Sequence, residues 1–204
     1  MKNGITEVVF ILDRSVSMSG YESDTVGGFN ATVEKQKRLE GVCYVSTVLF
    51  DGKSEILHDR VRLEEVKPLT ERDYSVGGNT ALLDAVGGAI RHIDTVHRYI
   101  REEDVPEHTI FVITTDGMEN ASREFTRAEV KRMIEAHREL GWEFIFLAAN
   151  IDAGDTAESI GIKREHSAGY RQSAKGFKAC YSAMSKAVGS VRCGGLDEDW
   201  RSDL

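Results

Sequence analysis

Two stretches of the chain set acidic and hydroxyl side chains directly after apolar runs. In "VVFILDRSVSM", Val8 to Met18, the run ends in Asp13, and Ser15 and Ser17 follow at alternate positions. "HTIFVITTDG", His108 to Gly117, repeats the device and ends in Asp116. If the Asp-x-Ser-x-Ser segment stays extended, the two serine hydroxyls point to the same side. Carboxylates together with neutral hydroxyl oxygens form a hard-oxygen set, suited to magnesium or manganese rather than zinc. Two carboxylates at neighbouring strand ends repel each other unless a cation or a proton lies between them. The set carries too few charges to saturate a metal, so water or a carboxylate from elsewhere must complete the shell.

The elements that position these residues alternate strand with helix. Ile5 to Leu12 is a continuous apolar, β-branched and aromatic run that suits a central strand buried on both faces, His108 to Gly117 reads as another buried strand, and Val42 to Phe50 and Trp142 to Asn150 as two further strands. Asp51-Gly52 is a hairpin signal leading to an antiparallel strand near Ser54 to Leu57. Val26, Phe29, Val33 and Gln36 recur at helical spacing, with Gly41 placed as a C-terminal cap. Leu82, Val86, Ala89, Ile93, Val96 and Ile100 form the clearest helical stripe. Thr126 and Glu129 read as a capping box with Phe125 and Val130 as its hydrophobic staple. A short helix is expected around Asp155 to Ile160, and a short strand near Glu165 to Ser167. A last helix presents Phe177, Tyr181, Met184, Val188 and Val191. The expected fold is α/β: a doubly wound, mostly parallel, Rossmann-like sheet with helices on both faces and one antiparallel edge strand. One domain over residues 1–192 is expected, with 193–204, which lack periodicity, as a flexible tail. In such sheets ligands sit beyond the carboxyl ends of the strands, where Asp13 and Asp116 lie.

The bulk composition narrows the classes. The chain has 204 residues, 41% hydrophobic and 29% charged, as in soluble globular proteins. A net charge of -8 argues against a nucleic-acid footprint, which needs a basic face. Three scattered cysteines give neither a disulfide framework nor a zinc motif and favour a reducing compartment. The first apolar run is too short for a signal peptide and no stretch is long enough for a membrane span. A cytoplasmic location is expected.

"DRSVSM", "GGNTALLDAV" and "ITTDGMEN" together resemble the three-part signature of the metal-ion-dependent adhesion site of von Willebrand factor type A domains. The resemblance covers about the first four-fifths of the chain. It implies that Asp13, Ser15 and Ser17 supply the first metal-binding cluster, Thr80 the second element and Asp116 the third. It also implies that a magnesium or manganese ion held there accepts an Asp or Glu of a partner protein. One departure is visible, since many members have glycine where this chain has Val16; that position contributes no ligand atom. Gly77 and Gly78 suit a loop that brings backbone close to a metal. The architecture is similar to that of small intracellular bacterial members of the family. No nucleic-acid or membrane partner is expected.

Plainer readings stand beside this one. Asp13 with Ser15 also suits a strand-end turn, Thr80 a helix N-cap, and Asp116-Gly117 a common turn. Glu119 and Asn120 are candidates to hold waters of the metal shell or belong to a solvated loop. Met18 and Tyr21 are candidates for a partner-binding rim or for packing. Cys43 and Cys180 read as small core residues, and the histidines as structural or exposed. Two other functions are open. One is a magnesium-dependent phosphohydrolase of haloacid dehalogenase type with Asp13 as nucleophile; against it, Ser15 stands where a second carboxylate should serve as acid/base. The other is a structural protein with a vestigial site.

Overall fold

The computed structural model describes residues 4–204. Six strands lie in the order β3-β2-β1-β4-β5-β6. β1 (Thr6–Asp13) and β4 (His108–Thr115) occupy the centre and pair in parallel, from Thr6 opposite His108 to Leu12 opposite Thr114. β2 (Cys43–Phe50), β5 (Glu143–Ala148) and β6 (Ser167–Gly169) are also parallel, and β3 (Ser54–Arg62) is the antiparallel edge. The chain starts in the middle, builds outward through β2 and β3, then returns to build β4, β5 and β6 on the other side. The order of strands therefore reverses between β1 and β4. A crevice forms at such a point because the connections leave to opposite faces of the sheet.

Alternation along β1 serves two cores at once. Val8, Phe10 and Leu12 pack with Phe29 and Val33 of α1 (Glu22–Gln36) and with Phe177, Tyr181, Met184 and Val188 of α5 (Ala174–Arg192). Val9 and Ile11 face the opposite way. They pack with Leu82, Val86 and Ile90 of α2 (Leu82–Tyr99), with Val130 and Ile134 of α3 (Arg127–Glu139) and with Ala157 of α4 (Ala153–Ser159). A strand buried on both faces has no polar side to show in its sequence, which is why these runs are continuously apolar. α3 starts at the expected capping box, where Thr126 accepts from the Glu129 amide and Glu129 accepts from the Thr126 amide.

Some expectations need correction. β3 runs on to Arg62 with a register shift against β2, and Arg60 takes a left-handed backbone with φ 47°. Half-exposed edge residues gave the sequence no clean alternation there. α1 ends at Gln36, so Gly41 (φ 96°) belongs to the turn before β2 rather than to the helix cap. β6 begins at Ser167, after a 3-10 turn over Arg164–His166. Residues 193–204, expected as a flexible tail, pack against the body. Trp200 is 2% exposed within the α1/α5 core, Arg201 donates to the Ser167 carbonyl at 2.9 Å, and Lys186 pairs with Asp203 at 2.8 Å. One aromatic anchor and these polar contacts hold the segment without any periodicity to announce it. Among the described residues, no helix is long and apolar enough to cross a membrane.

Candidate metal centre

Asp13 is the last residue of β1 and is fully buried. Its Oδ1 accepts from the Ser15 amide at 2.7 Å and its Oδ2 from the Thr115 hydroxyl at 2.6 Å, while its carbonyl accepts from the Tyr74 hydroxyl. The side chain is thus fixed by a turn of its own loop and by the neighbouring strand, and the backbone of Asp13 by a tyrosine from the segment before α2. After Asp13 the chain does not stay extended. Val16–Met18 form a 3-10 turn, and this turn, rather than strand alternation, brings the Ser15 and Ser17 hydroxyls to 2.9 Å from each other. Ser17 Oγ then donates to Asp116 Oδ1 at 2.5 Å. Asp13, Ser15, Ser17 and Asp116 accordingly form one connected polar row across the β1/β4 crevice.

Thr80 reaches the same place through backbone pairing between loops. The Gly77 amide donates to the Arg14 carbonyl at 2.9 Å, and the Val16 amide to the Gly78 carbonyl at 3.2 Å. These two bonds fasten the second loop to the first. Asn120 holds Thr80 from the third loop: its Oδ1 accepts from the Thr80 amide at 2.9 Å and its own amide donates to the Thr80 carbonyl at 3.0 Å. Gly117 reports the convergence. A Cβ built on it would lie 3.4 Å from Ser17 Oγ and 3.5 Å from Thr80 Oγ1, so two hydroxyls from different loops border the space that glycine leaves free. All five residues singled out in the sequence meet at one end of the sheet.

The electrostatics of this end are unbalanced. Burial pushes the Asp13 carboxyl above its ordinary range against the hydrogen bonds from Ser15 and Thr115. Burial raises Asp116 too, Ser17 opposes that, and the charge of Asp13 raises it further. Among the described residues no ion pair reaches either carboxylate, and the nearby Arg14 is turned to Asp51 at 3.1 Å and Glu55 at 2.7 Å. Two desolvated carboxylates and three hydroxyls, with no cation among the described residues paired to them, fit a hard divalent ion. Among the described residues there is no group of three or more His, Cys, Asp or Glu side chains able to hold a metal.

Other residues near the site have roles that sequence reasoning missed or left open. Glu119 accepts from the amides of Leu83, Ala121 and Ser122, and so ties the third loop to the start of α2. Met18 is buried in the α1/α5 core rather than on a rim, and Tyr21 stacks on Phe177 at 4.8 Å. The rim instead exposes Val16 (64%) and Met118 (73%), one from each of the two carboxylate-bearing loops. Thr115 and Tyr74, which orient Asp13, carry no sequence signal, because nothing in their spacing to Asp13 marks the contact. Gln172 is a further case: its Nε2 donates to Asp116 Oδ2 at 2.7 Å.

No protein-family model matches the chain, and no curated protein does. Solved structures do match in fold. The vWF domain of the type V pili tip protein Mfa5 from Porphyromonas gingivalis has 10% identity and a TM-score of 0.67, with 94% of this chain and 97% of that one covered. Proximal thread matrix protein 1 from the mussel byssus, with a zinc-occupied MIDAS motif, has 15% identity and a TM-score of 0.61, with 91% and 46% covered. Manganese-loaded TRAP protein of Plasmodium vivax has 13% identity and a TM-score of 0.56, with 84% and 70% covered. The chain spans about half the length of the mussel protein it matches.

Proposed function

The chain has the fold of a von Willebrand factor type A domain, and from that premise we propose that it is a metal-ion-dependent protein-binding module. Asp13, Ser15, Ser17, Thr80 and Asp116 would hold a magnesium or manganese ion. The ion would supply a Lewis-acidic position to which a partner's Asp or Glu binds. The observation that carries this reading is the polar row at the β1/β4 switch point, with two buried carboxylates and, among the described residues, no cation to neutralise them.

The chain's own residues do the remaining work. Thr115 and Tyr74 hold Asp13 facing the crevice, Asn120 holds Thr80, and the backbone bonds between loops keep the hydroxyls together. A rigid strand end limits how far the ligands must move when a cation arrives. Val16 and Met118 would present apolar surface on either side of the partner's carboxylate, so the partner's acidic residue would sit among apolar neighbours. No residue acts as nucleophile or general base. The phosphohydrolase reading finds no support at Ser15, whose hydroxyl is engaged with Ser17 and has no carboxylate's basicity. Two solved relatives in fold hold zinc and manganese respectively, which supports a divalent cation at this end without choosing magnesium.

Calorimetric titration of chelator-stripped protein with magnesium, manganese and zinc tests the proposal. Saturable binding of one ion per chain, absent in Asp116→Ala, is the expected result. Hydrolysis of a generic phosphomonoester that is lost in Asp13→Asn would overturn the non-catalytic reading. Absence of binding for all three metals would overturn the metal-dependent one.

A further inference from the structure

The segment between β6 and α5 carries no metal-site signature, yet it reaches the site. Gln172 Nε2 donates both its hydrogens there: one to Asp116 Oδ2 at 2.7 Å, the other to the Ser17 carbonyl at 2.8 Å. Its Oε1 accepts from Asn150 Nδ2 at 2.7 Å, and Asn150 Nδ2 also approaches the Asp116 carbonyl at 3.4 Å. The assignment of nitrogen and oxygen is internally determined. Turning either amide over would set acceptor against acceptor.

The position of Gln172 is itself fixed. Its carbonyl accepts from the Tyr21 hydroxyl at 3.0 Å, and Tyr21 is held in turn by the ring of Phe177. The turn that follows is tight: a Cβ on Gly176 would fall 1.8 Å from the Arg171 carbonyl oxygen, so this path of the chain requires glycine there. Asn150 takes a left-handed backbone (φ 58°), a conformation asparagine tolerates better than most residues, and this turns its amide toward Gln172.

We infer that Gln172, oriented by Asn150, is a positioning residue of the proposed metal site. It acts through Asp116. Ser17 occupies one carboxylate oxygen of Asp116 and Gln172 the other, so rotation of the carboxylate is blocked from both sides. By also holding the Ser17 carbonyl, one side chain sets the β1 loop against the β4 loop. Outer partners of this kind keep ligands in a productive orientation before the ion binds, and their loss typically weakens metal affinity by about 10- to 100-fold. This inference rests on the proposed metal-binding function and names a residue outside its ligand set.

The test compares manganese affinity by calorimetry in the wild-type chain, Gln172→Met, Asn150→Gly and the double variant, with the melting temperature of each metal-free protein. Methionine keeps the length of the side chain without its donors. Glycine accepts the left-handed backbone of Asn150 without strain. Gln172→Met is expected to weaken manganese binding about tenfold or more, with a metal-free melting temperature close to wild type. Asn150→Gly should weaken it less, and the double variant no more than Gln172→Met alone, because the two amides act as one unit. Wild-type affinity in Gln172→Met overturns the inference and leaves the metal reading standing. Tighter binding also overturns it, since the amide would then be obstructing the site. Failure of the wild-type chain to bind manganese overturns the metal reading, and this inference with it.

Discussion

β1 carries a fully buried carboxylate at each end, Glu7 at the start and Asp13 at the finish, and the chain treats the two in opposite ways. Glu7 has cationic and donor partners from the protein itself. Arg60 Nε lies 2.8 Å from Glu7 Oε2, and His97 Nε2 lies 3.1 Å from the same oxygen. The Arg60 contact is one of charge rather than of hydrogen bonding: its Nε and Glu7 Oε1 both lack a hydrogen-bond partner in the structure. Among the described residues Asp13 has only amide and hydroxyl donors, and its neighbour across the crevice is another carboxylate. A buried charge is tolerated when something neutralises it. At the amino end of the strand the protein supplies that something. At the carboxyl end no cation from the described residues does so, and on the proposed reading the difference separates a structural carboxylate from one left for an external cation.

The largest effect expected from this contrast lies at the structural end. Arg60→Ala leaves Glu7 buried without its cation and should cost about 3 kcal/mol in urea unfolding. A cost within the error of a surface substitution would remove the contrast at its root. Asp13→Asn should behave in the opposite way. In chelator the variant should be at least as stable as wild type, because a buried charge is lost and the Thr115 hydroxyl can turn from donor to acceptor. What disappears is stabilisation by magnesium or manganese, about 2.7 kcal/mol for wild type at a hundredfold excess over Kd. If Asp13→Asn unfolds as easily in chelator as Glu7→Gln, the two ends are equivalent and the comparison fails.

Gly117→Ala sharpens the same point at smaller scale. The added methyl group stays in ordinary contact with the Ser17 and Thr80 hydroxyls and should barely alter the metal-free melting temperature. It intrudes where those hydroxyls converge, so metal affinity should fall about tenfold, or about 1.4 kcal/mol. Equal affinity in Gly117→Ala would place the ion elsewhere. The smallest effect concerns pH. In the folded, metal-free chain the Asp13 and Asp116 carboxyls lie above their ordinary value of 3.8. The folded state therefore binds more protons than the unfolded one between the ordinary and the raised values. The stability contributed by these two groups is present below that window and lost as pH rises through it. Urea midpoints in chelator, measured across the acidic range, should show this decline, and it should flatten in Asp13→Asn. An unchanged slope in the variant would count against unneutralised burial as the cause.

Several parts of the site could be read from the chain and several could not, and the division follows sequence distance. Asp13, Ser15 and Ser17 fall within one short stretch, and a strand running straight into acid and hydroxyls is unusual enough to notice. Asp116 stands out in the same way, at the end of a second buried run, whereas Thr80 was readable only through the resemblance of all three segments to one signature. Gln172, Asn150, Thr115 and Tyr74 were not readable. Each meets the site by a hydrogen bond to a residue far away in sequence, and glutamine or tyrosine at such a position looks like any other surface or core residue. The same reasoning covers Trp200. Its segment has no period because it is held by one aromatic anchor and a few polar contacts rather than by an apolar face.

What the sequence determined by itself is the order of strands and helices, the two-sided burial of β1 and β4, and the acidic-hydroxyl chemistry at their ends. These are local properties, set by the period of apolar residues and by which side chains follow them. The tertiary structure alone decided that Ser15 and Ser17 meet through a 3-10 turn, that β3 runs past its expected end, and that a glutamine before the last helix grips Asp116. It also decided that Glu7 finds a cation from its own chain while Asp13 finds none among the described residues. Those outcomes depend on which distant loops the strand order brings together, and a buried charge is sensitive to that neighbourhood rather than to its place in the chain.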